Sequence, residues 1–144
     1  MAMLGKEVRM SRLVNPRSNK MMAITVDHAI SRGIAQLTGL HQIQDTIDKI
    51  IAGKPEAMTL TKGIAEHCMW NHAGKVAMLM KVSSYSPVAP TKDTVFGTVD
   101  EAIRMGADAV SMGSMTLGDF QGEQFEEIGK FSEECMRRGM PLIG

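Results

Sequence analysis

The chain has 144 residues, and its 16 lysines and arginines are balanced by 16 aspartates and glutamates. This length favours one domain with enough apolar mass for a core, while the zero net charge argues against a nucleic-acid partner. No apolar run approaches the ~20 residues that cross a bilayer, and the first residues lack the apolar segment of a signal peptide, so we expect a cytoplasmic protein with no membrane partner.

The amino-terminal part of the chain leads into a short apolar run. Residues 1–20 are largely polar and basic, and we expect a leading arm or helix that breaks near Pro16. Residues 21–26 carry no charge, which predicts a strand buried on both faces. Asp27 and His28 follow where this run stops. A carboxylate there is costly to bury without a function or a partner, and parallel strands of α/β folds present functional groups at their carboxyl ends.

Helices and strands alternate along the rest of the chain. Thr98 and Glu101 form a capping box at the start of one helix, and Gly139 ends another. Apolar spacing, caps and turn residues predict a loop over 29–39, a helix over 42–52, a strand over 56–60, a short helix over 64–71, a strand over 76–82, a loop over 83–90, a short extended piece over 93–98, a helix over 99–105, a strand over 108–112, a helix over 119–138 and a fifth strand from 140. The long helix is expected to bury Phe120, Phe125, Ile128, Phe131 and Cys135.

Strands that alternate with helices predict an α/β fold with a parallel sheet and right-handed crossovers. Both a doubly wound sheet and a β/α barrel fit this order. The glycine-rich dinucleotide fingerprint is missing after the first strand, where the sequence reads Asp27-His28-Ala29-Ile30. Its absence weakens the interpretation as a dinucleotide-binding sheet.

Polar side chains follow the predicted strands at the points where they end. Asp27 and His28 end the first strand, Lys62 the second, Lys81 the third and Ser111 the fourth. In a parallel sheet these groups gather at one edge. A carboxylate near a lysine is the minimum for imine chemistry, because the amine attacks a carbonyl while the carboxylate moves protons.

Each of these residues also has a purely structural interpretation. Asp27 is a favoured turn residue and could cap the loop that follows it. His28 could be a hydrogen-bonded structural histidine, and Lys62 a solvated charge at the end of a strand.

A metal site has weaker support. His67 and His72 lie five apart on a predicted helix and share no face well, so with Cys68 they make a poor zinc candidate. A metal-dependent lyase that uses Asp27, His28 and His67 is a second alternative, but these residues lack the placement of a ligand set. Cys68 and Cys135 lie far apart, which favours free thiols. We therefore expect no metal and no cofactor.

Several segments together resemble one known family. They are residues 5–13 ahead of the first strand, the Asp27-His28 pair, residues 61–64, residues 133–135 and, most specifically, the run TVDEAIRMGADAVS over 98–111 with Gly139-Met140-Pro141 at a matching distance. The sequence resembles the archaeal-type class I fructose-bisphosphate aldolases, the DhnA-type members of the DeoC/LacD superfamily, which includes 2-amino-3,7-dideoxy-heptulosonate synthase. The likeness covers nearly the whole chain and is weakest over 29–57.

The resemblance implies that residues 1–144 are a single partial domain, namely the N-terminal portion, about five strands, of a TIM (β/α)8 barrel. It implies a metal-independent aldolase that acts through a lysine imine on phosphorylated sugars such as fructose 1,6-bisphosphate. Asp27 matches the family's catalytic Asp at the end of strand one, and His28 and Lys62 are the expected substrate contacts. A heptulosonate-synthase-like transaldolase and a non-catalytic binding or assembly module are the alternatives.

The sequence departs from the family beyond its fifth strand. Family members carry the imine lysine on strand six and bind phosphate with glycine-rich loops after strands seven and eight, whereas this sequence stops at Gly144. Lys62 and Lys81 are not at the imine position. We therefore expect that this chain lacks the imine lysine and is inactive alone. It would be a fragment, a split enzyme completed by a second half-barrel, or a standalone open domain, and we expect a homo-oligomer or such a completing partner.

Overall fold

Helices and strands alternate through most of the fold, except where an antiparallel pair of strands is inserted after the third parallel strand. The computed structural model describes residues 3–31 and 37–144. Short 3-10 turns occupy His28–Ile30 and Trp70–His72. In chain order the helices and strands are α1 (Leu4–Leu13), β1 (Ala23–Thr25), α2 (Ile43–Ala52), β2 (Ala57–Thr61), α3 (Lys62–Cys68), β3 (Ala77–Lys81), β4 (Ser83–Ser86), β5 (Ala89–Val95), α4 (Val99–Arg104), β6 (Ala109–Ser111), α5 (Gln121–Arg138) and β7 (Leu142–Ile143).

Five strands form one parallel sheet in the order β1-β2-β3-β6-β7. Strands β4 and β5 form a separate two-stranded sheet. Within the five-stranded sheet, each strand pairs with the member that follows it in the chain, so the strand order never reverses. A doubly wound sheet needs such a reversal, whereas a barrel adds its strands in sequence. The predicted parallel α/β architecture is therefore confirmed, and the strand order favours the barrel.

The sheet has an apolar layer on each face. On the outer face, Met58, Leu60 and Met80 pack with side chains of the surrounding helices, among them the fully buried Ile47 of α2. On the inner face, a smaller cluster of alanines and Leu79 packs against Leu13 of α1. Alternate side chains of a strand point to opposite faces, so this division decides which residues can reach the inside of the sheet.

The first strand is shorter and more exposed than the sequence predicts. It spans Ala23–Thr25 rather than 21–26, and Ile24 is half-buried between two exposed residues. The prediction that this strand is buried on both faces is wrong because β1 pairs only with β2 and lies at the edge of the sheet. The other predicted helices and strands agree to within a few residues. Residues 32–36 of the predicted loop over 29–39 lie outside the described residues.

Residues 83–95 form an antiparallel hairpin where the sequence predicts a loop and a short extended piece. The error has a physical cause, because Ser83–Ser86 and Ala89–Val95 are rich in serine, threonine and proline and carry little apolar periodicity. A two-stranded sheet consists only of edge strands, which tolerate a proline such as Pro90. The strand register also shifts at Tyr85/Ser86, as at a β-bulge.

Helix α5 buries a different side chain from the one predicted. Phe125 is 52% exposed, so its predicted burial is wrong, whereas Gln124 is buried at 3% exposure. Phe131 and Cys135 are buried as predicted. The helix ends at Gly139 in the left-handed conformation, with φ at +60°, as the sequence predicts.

The two cysteines are buried free thiols. Burial raises the pKa of Cys68 above its ordinary value and the pKa of Cys135 to about 11, so neither thiol is poised to react as a thiolate at neutral pH. Within the described residues, the search for a helix with the length and hydropathy of a membrane span finds none.

A buried carboxylate ties α1 to the sheet. Asp108 is 6% exposed and follows the turn between α4 and β6. Its Oδ1 accepts a hydrogen bond of 3.0 Å from Arg12 Nη1, and its Oδ2 accepts one of 3.2 Å from the backbone N–H of Met78. The amino-terminal helix and the strand β3 thus share one acceptor.

Asp108→Ala is expected to destabilise the fold by about 1–3 kcal/mol, because the buried Met78 N–H loses its acceptor. Arg12→Ala is the matched control: it removes the ion pair at the 62% exposed Arg12 side chain but leaves the Met78 N–H its acceptor, so it should cost less than Asp108→Ala. Denaturant unfolding of both variants measures the difference. Equal destabilisation by the two substitutions would contradict the role assigned to the Met78 hydrogen bond.

Candidate active site

A row of polar side chains lies at the carboxyl ends of the central strands. The strand register places Thr61 beside Lys81, and Lys81 beside Ser111. By strand alternation they share a face with Ala57, Ala77, Leu79 and Ala109, which form the inner apolar cluster. The inner face therefore changes from apolar to polar towards the carboxyl ends of the strands, as expected for a site at that edge.

Asp27 stands at the same edge of the sheet, just after β1, the strand that pairs with β2. The backbone N–H of Val26 bonds to the carbonyl of Thr59 at 3.0 Å, so β1 stays beside β2 up to this point. Val26 is buried in the outer core, and alternation then directs Asp27 towards the inner side. The Asp27 side chain is 18% exposed, which leaves its carboxylate within reach of a small ligand.

His28 lies next to this carboxylate but does not bond to it closely. Its Nδ1 is 3.8 Å from Asp27 Oδ1, and the imidazole is 42% exposed. Nδ1 itself is buried and has no hydrogen-bond partner among the described residues. The 3-10 turn that begins at His28 contacts β4, so the hairpin approaches the Asp27 end of the site.

Lys62 is not brought together with Asp27. Its Nζ donates to Glu101 Oε1 at 3.1 Å and to the carbonyl of Phe96 at 3.2 Å. Glu101 lies in the first turn of α4, outside the sheet, where the Lys62 hydrogen bond lowers the pKa of its carboxyl. Lys62 also lines a groove between α3 and α4 on the outer side of the sheet, away from the polar row. The inner position at this level belongs to Thr61.

The hairpin β4–β5 is fastened over the ends of β3 and β6. Buried Ser83 accepts a hydrogen bond of 2.8 Å from the N–H of Gly113, just after β6. Gln124 of α5 joins the two sides: its Oε1 accepts from Met115 N–H at 2.8 Å, and its Nε2 donates to the carbonyl of Thr91 at 2.9 Å. These bonds explain why a glutamine is buried on α5 and why the hairpin has a fixed place.

Asp93 is a further carboxyl group at this edge, and nothing in the sequence selects it. It lies on β5 and is only 5% exposed. Burial raises the pKa of its carboxyl, and the nearby Lys81 ammonium lowers that pKa in part. The signal in the sequence is weak, because a charged residue in a segment predicted to be irregular reads as solvated.

The described residues do not assemble a metal site from the histidines. His72 Nε2 bonds instead to Asp48 Oδ1 at 2.6 Å, linking the turn after α3 to α2. Hydrogen bonds from Gln44 and His72 lower the pKa of the Asp48 carboxyl. Among the described residues, no three His, Cys, Asp or Glu side chains are placed to share an ion, so Asp27, His28 and His67 do not form a ligand set.

Comparison with known proteins gives one family. A sequence profile of the DeoC/LacD family aldolases matches residues 21–143, which is most of the chain. The match includes β1 with Asp27, the central strands and the hairpin.

Two curated relatives are archaeal synthases. The chain is 30% identical to 2-amino-3,7-dideoxy-D-threo-hept-6-ulosonate synthase 1 of Archaeoglobus fulgidus over 98% of this chain and 53% of the relative. It is 29% identical to 2-amino-3,7-dideoxy-D-threo-hept-6-ulosonate synthase of Halobacterium salinarum over 96% of this chain and 51% of the relative. The chain thus spans about half the length of the curated relatives it matches.

Solved structures of aldolases share the fold. An archaeal fructose-1,6-bisphosphate aldolase, whose catalytic Lys is covalently bound to a carbinolamine intermediate, superposes with a TM-score of 0.75 at 22% identity, over 96% of this chain and 55% of that chain. A Schiff-base-forming fructose-1,6-bisphosphate aldolase gives a TM-score of 0.78 at 21% identity with the same coverage. The five-stranded sheet therefore corresponds to about half of a TIM barrel, as the sequence predicts.

Lys62→Met is expected to raise the pKa of Glu101 towards its ordinary value of 4.5, because the carboxylate loses its charged donor. The ion pair stabilises the fold above that pH and is lost as the pH falls through the lowered pKa, so the two proteins should differ in stability at neutral pH and converge in acid. An NMR titration of the Glu101 carboxyl carbon measures the shift. An unchanged Glu101 pKa would mean that Lys62 is not held outside the sheet.

Gln124→Ala is expected to loosen the hairpin, because it leaves the Met115 N–H and the Thr91 carbonyl without their side-chain partner. The free energy of opening for amides of β4 and β5 should fall by about 1–3 kcal/mol. Native-state hydrogen exchange measures this, with Glu127→Ala on the exposed face of the same helix as the control. If exchange in β4 and β5 is the same in both variants, Gln124 does not hold the hairpin.

Proposed function

The chain belongs to the DeoC/LacD family of aldolases. We propose that it supplies the carboxylate base of a class I aldolase site. The observation that carries the proposal is the position of Asp27, which follows β1 by two residues. It lies at the edge of the sheet where Thr61, Lys81 and Ser111 end their strands. A partly exposed carboxylate beside hydroxyl and ammonium groups suits a substrate rich in hydroxyl groups.

The chemistry assigns Asp27 a proton transfer. In a class I cleavage, a lysine amine forms an imine with the substrate carbonyl, and a base removes the proton of a hydroxyl as the carbon–carbon bond breaks. The electron pair of that bond moves into the iminium, while the hydroxyl carbon becomes an aldehyde. Asp27 is the proposed base, and His28, whose Nδ1 is 3.8 Å from Asp27 Oδ1, is proposed to contact the same part of the substrate. No metal or cofactor is needed for these steps.

The proposed substrate class is phosphorylated sugars, with fructose 1,6-bisphosphate as the first candidate. The relatives favour a second candidate as well, because those at 29–30% identity are heptulosonate synthases, whereas the aldolase structures share 21–22%. A transaldolase of that type uses the same imine and the same base on a different acceptor. Asp27 therefore has the same role in either reaction.

We further propose that the imine lysine is not among the described residues. Lys62 is held by Glu101 and Phe96 outside the sheet, so it could contact a substrate only after leaving both. Lys81 Nζ and the Asp93 carboxyl group both lie beside Gly113, so a substrate carbonyl would have to displace this neighbour before Lys81 could attack it. Among the described residues, the edge strands β1 and β7 each pair with only one neighbour, and we propose that a completing half-barrel or a second copy pairs with their other side.

A chimera tests the proposal. It joins this chain to the remainder of the Archaeoglobus fulgidus synthase that the chain does not match. The assay follows cleavage of fructose 1,6-bisphosphate and, in parallel, the transaldolase reaction. In an active chimera, Asp27→Asn should lower kcat by about 10²–10⁴-fold, the usual range for loss of a general base.

Lys62→Met is the matched control in the same chimera, since Lys62 ends the neighbouring strand but points outward. It should leave kcat within a few-fold of the parent. If Asp27→Asn retains full activity in a chimera whose circular dichroism shows the parent fold, Asp27 is not the base. If Lys62→Met abolishes activity instead, Lys62 is a substrate contact, as the sequence first predicts.

Borohydride trapping tests the proposal about the lysines. The chain by itself, treated with dihydroxyacetone phosphate and borohydride, should show no stable adduct by mass spectrometry. The physical reason is that Glu101 and the Phe96 carbonyl hold Lys62 outside the sheet, while Lys81 Nζ lies beside the Asp93 carboxyl group at Gly113. A trapped adduct on Lys81 or Lys62, mapped by peptide analysis, would make this chain a minimal imine-forming enzyme.

A further inference from the structure

The hairpin brings a buried carboxyl group over the ends of β3 and β6. Asp93 lies opposite Tyr85 in the antiparallel register and is only 5% exposed. A carboxyl group buried to this extent requires a nearby partner, because isolated buried charge is strongly unfavourable. None of the steps assigned to Asp27 uses Asp93, so its burial calls for a separate explanation.

Gly113 makes room for this carboxyl group beside Lys81. A Cβ atom at Gly113 would overlap Asp93 Oδ2 and would lie 3.4 Å from Lys81 Nζ. The carboxylate and the ammonium therefore converge on one small space at the end of β6. The loop that contains Gly113 is fixed there by Ser83 and by the Gln124 bonds, so the arrangement is built into the fold.

We propose that Lys81 is a substrate-contacting residue of this site and that Asp93 is the positioning residue that directs its ammonium into the mouth of the sheet. The group that Lys81 recognises is a hydroxyl or carbonyl oxygen of the sugar chain. This inference rests on the proposed function, since it names the part of a phosphorylated sugar that Thr61, Lys81 and Ser111 bind.

The charges explain why the ligand is a neutral oxygen and not the phosphate. An ammonium has three N–H donors, and a neighbouring carboxylate leaves some of them free for a ligand. The Lys81–Asp93 pair has no net charge, and the Asp93 carboxylate would repel a phosphate held at Lys81. Thr61 and Ser111, which flank Lys81 in the register, add hydroxyl groups that suit a polyhydroxylated chain.

Binding of two probes to the full 144-residue chain tests the inference. Glycerol 3-phosphate carries hydroxyl groups and a phosphate but no carbonyl, so it cannot form an imine, and inorganic phosphate is the comparison. NMR follows the side-chain Cε signal of Lys81, assigned by its loss in Lys81→Met, and backbone amide shifts give the affinity of the parent chain and of each variant. We expect a saturable shift with glycerol 3-phosphate, little shift with phosphate, and about tenfold weaker binding in Lys81→Met but not in the outward-facing control Lys62→Met.

Asp93→Asn separates a positioning role from a merely structural one. With the carboxylate removed, the Lys81 Cε signal should move and glycerol 3-phosphate should bind several-fold more weakly, while the spectrum elsewhere stays that of the folded chain. Gly113→Ala should have the same two effects by displacing the pair. Should the Lys81 Cε signal and the affinity for glycerol 3-phosphate stay unchanged in Asp93→Asn, Asp93 does not position Lys81.

Two further results would overturn the inference: no response of the Lys81 signal to glycerol 3-phosphate, or an equal response to inorganic phosphate. The readout is binding to the chain itself and needs no cleavage. A chimera without aldolase activity would therefore overturn the proposed function alone. An active chimera, together with a Lys81 Cε signal that does not respond to glycerol 3-phosphate, would overturn this inference alone.

Discussion

The parallel register of β2, β3 and β6 is the constraint on which the site depends. Side chains alternate between the two faces of a strand, so a shift of one residue would exchange every inner residue for an outer one. The methionines and leucines of the outer face, packed under the helices, hold this register in place. With the register fixed, Thr61, Lys81 and Ser111 must end their strands on the inside and Lys62 must leave on the outside.

The hairpin β4–β5 encloses one side of this row of side chains. Only Val82 separates it from β3, and it approaches the turn that carries His28. Hydrogen bonds of Ser83 and Gln124 connect it to the loop after β6. Its strands bury little apolar surface, so hydrogen bonds to neighbouring elements fix its place. The consequence is that residues far apart in the sequence, Asp27 and Asp93, end up at the same edge of the sheet.

The sequence predicts the sheet well because each central strand is a short apolar run between helices with recognisable caps, as the capping box of Thr98 and Glu101 illustrates. It mispredicts the burial of β1 because composition cannot reveal that a strand lies at an edge. It misses the hairpin because serines, threonines and prolines give no apolar periodicity. The inward Lys81 and the outward Lys62 both follow strand ends, and only the register distinguishes them. Asp93 is missed because the sequence does not show that folding brings it next to Lys81.

The central proposal is that Asp27 faces the reacting part of a sugar substrate from the inner edge of the sheet. A crystal structure of the chimera with a borohydride-trapped substrate tests it most directly. We expect an Asp27 carboxylate oxygen within about 3 Å of a substrate hydroxyl, as a general base requires, with Lys62 still bonded to Glu101. A trapped substrate that lies away from Asp27, or one held by Lys62, would contradict it.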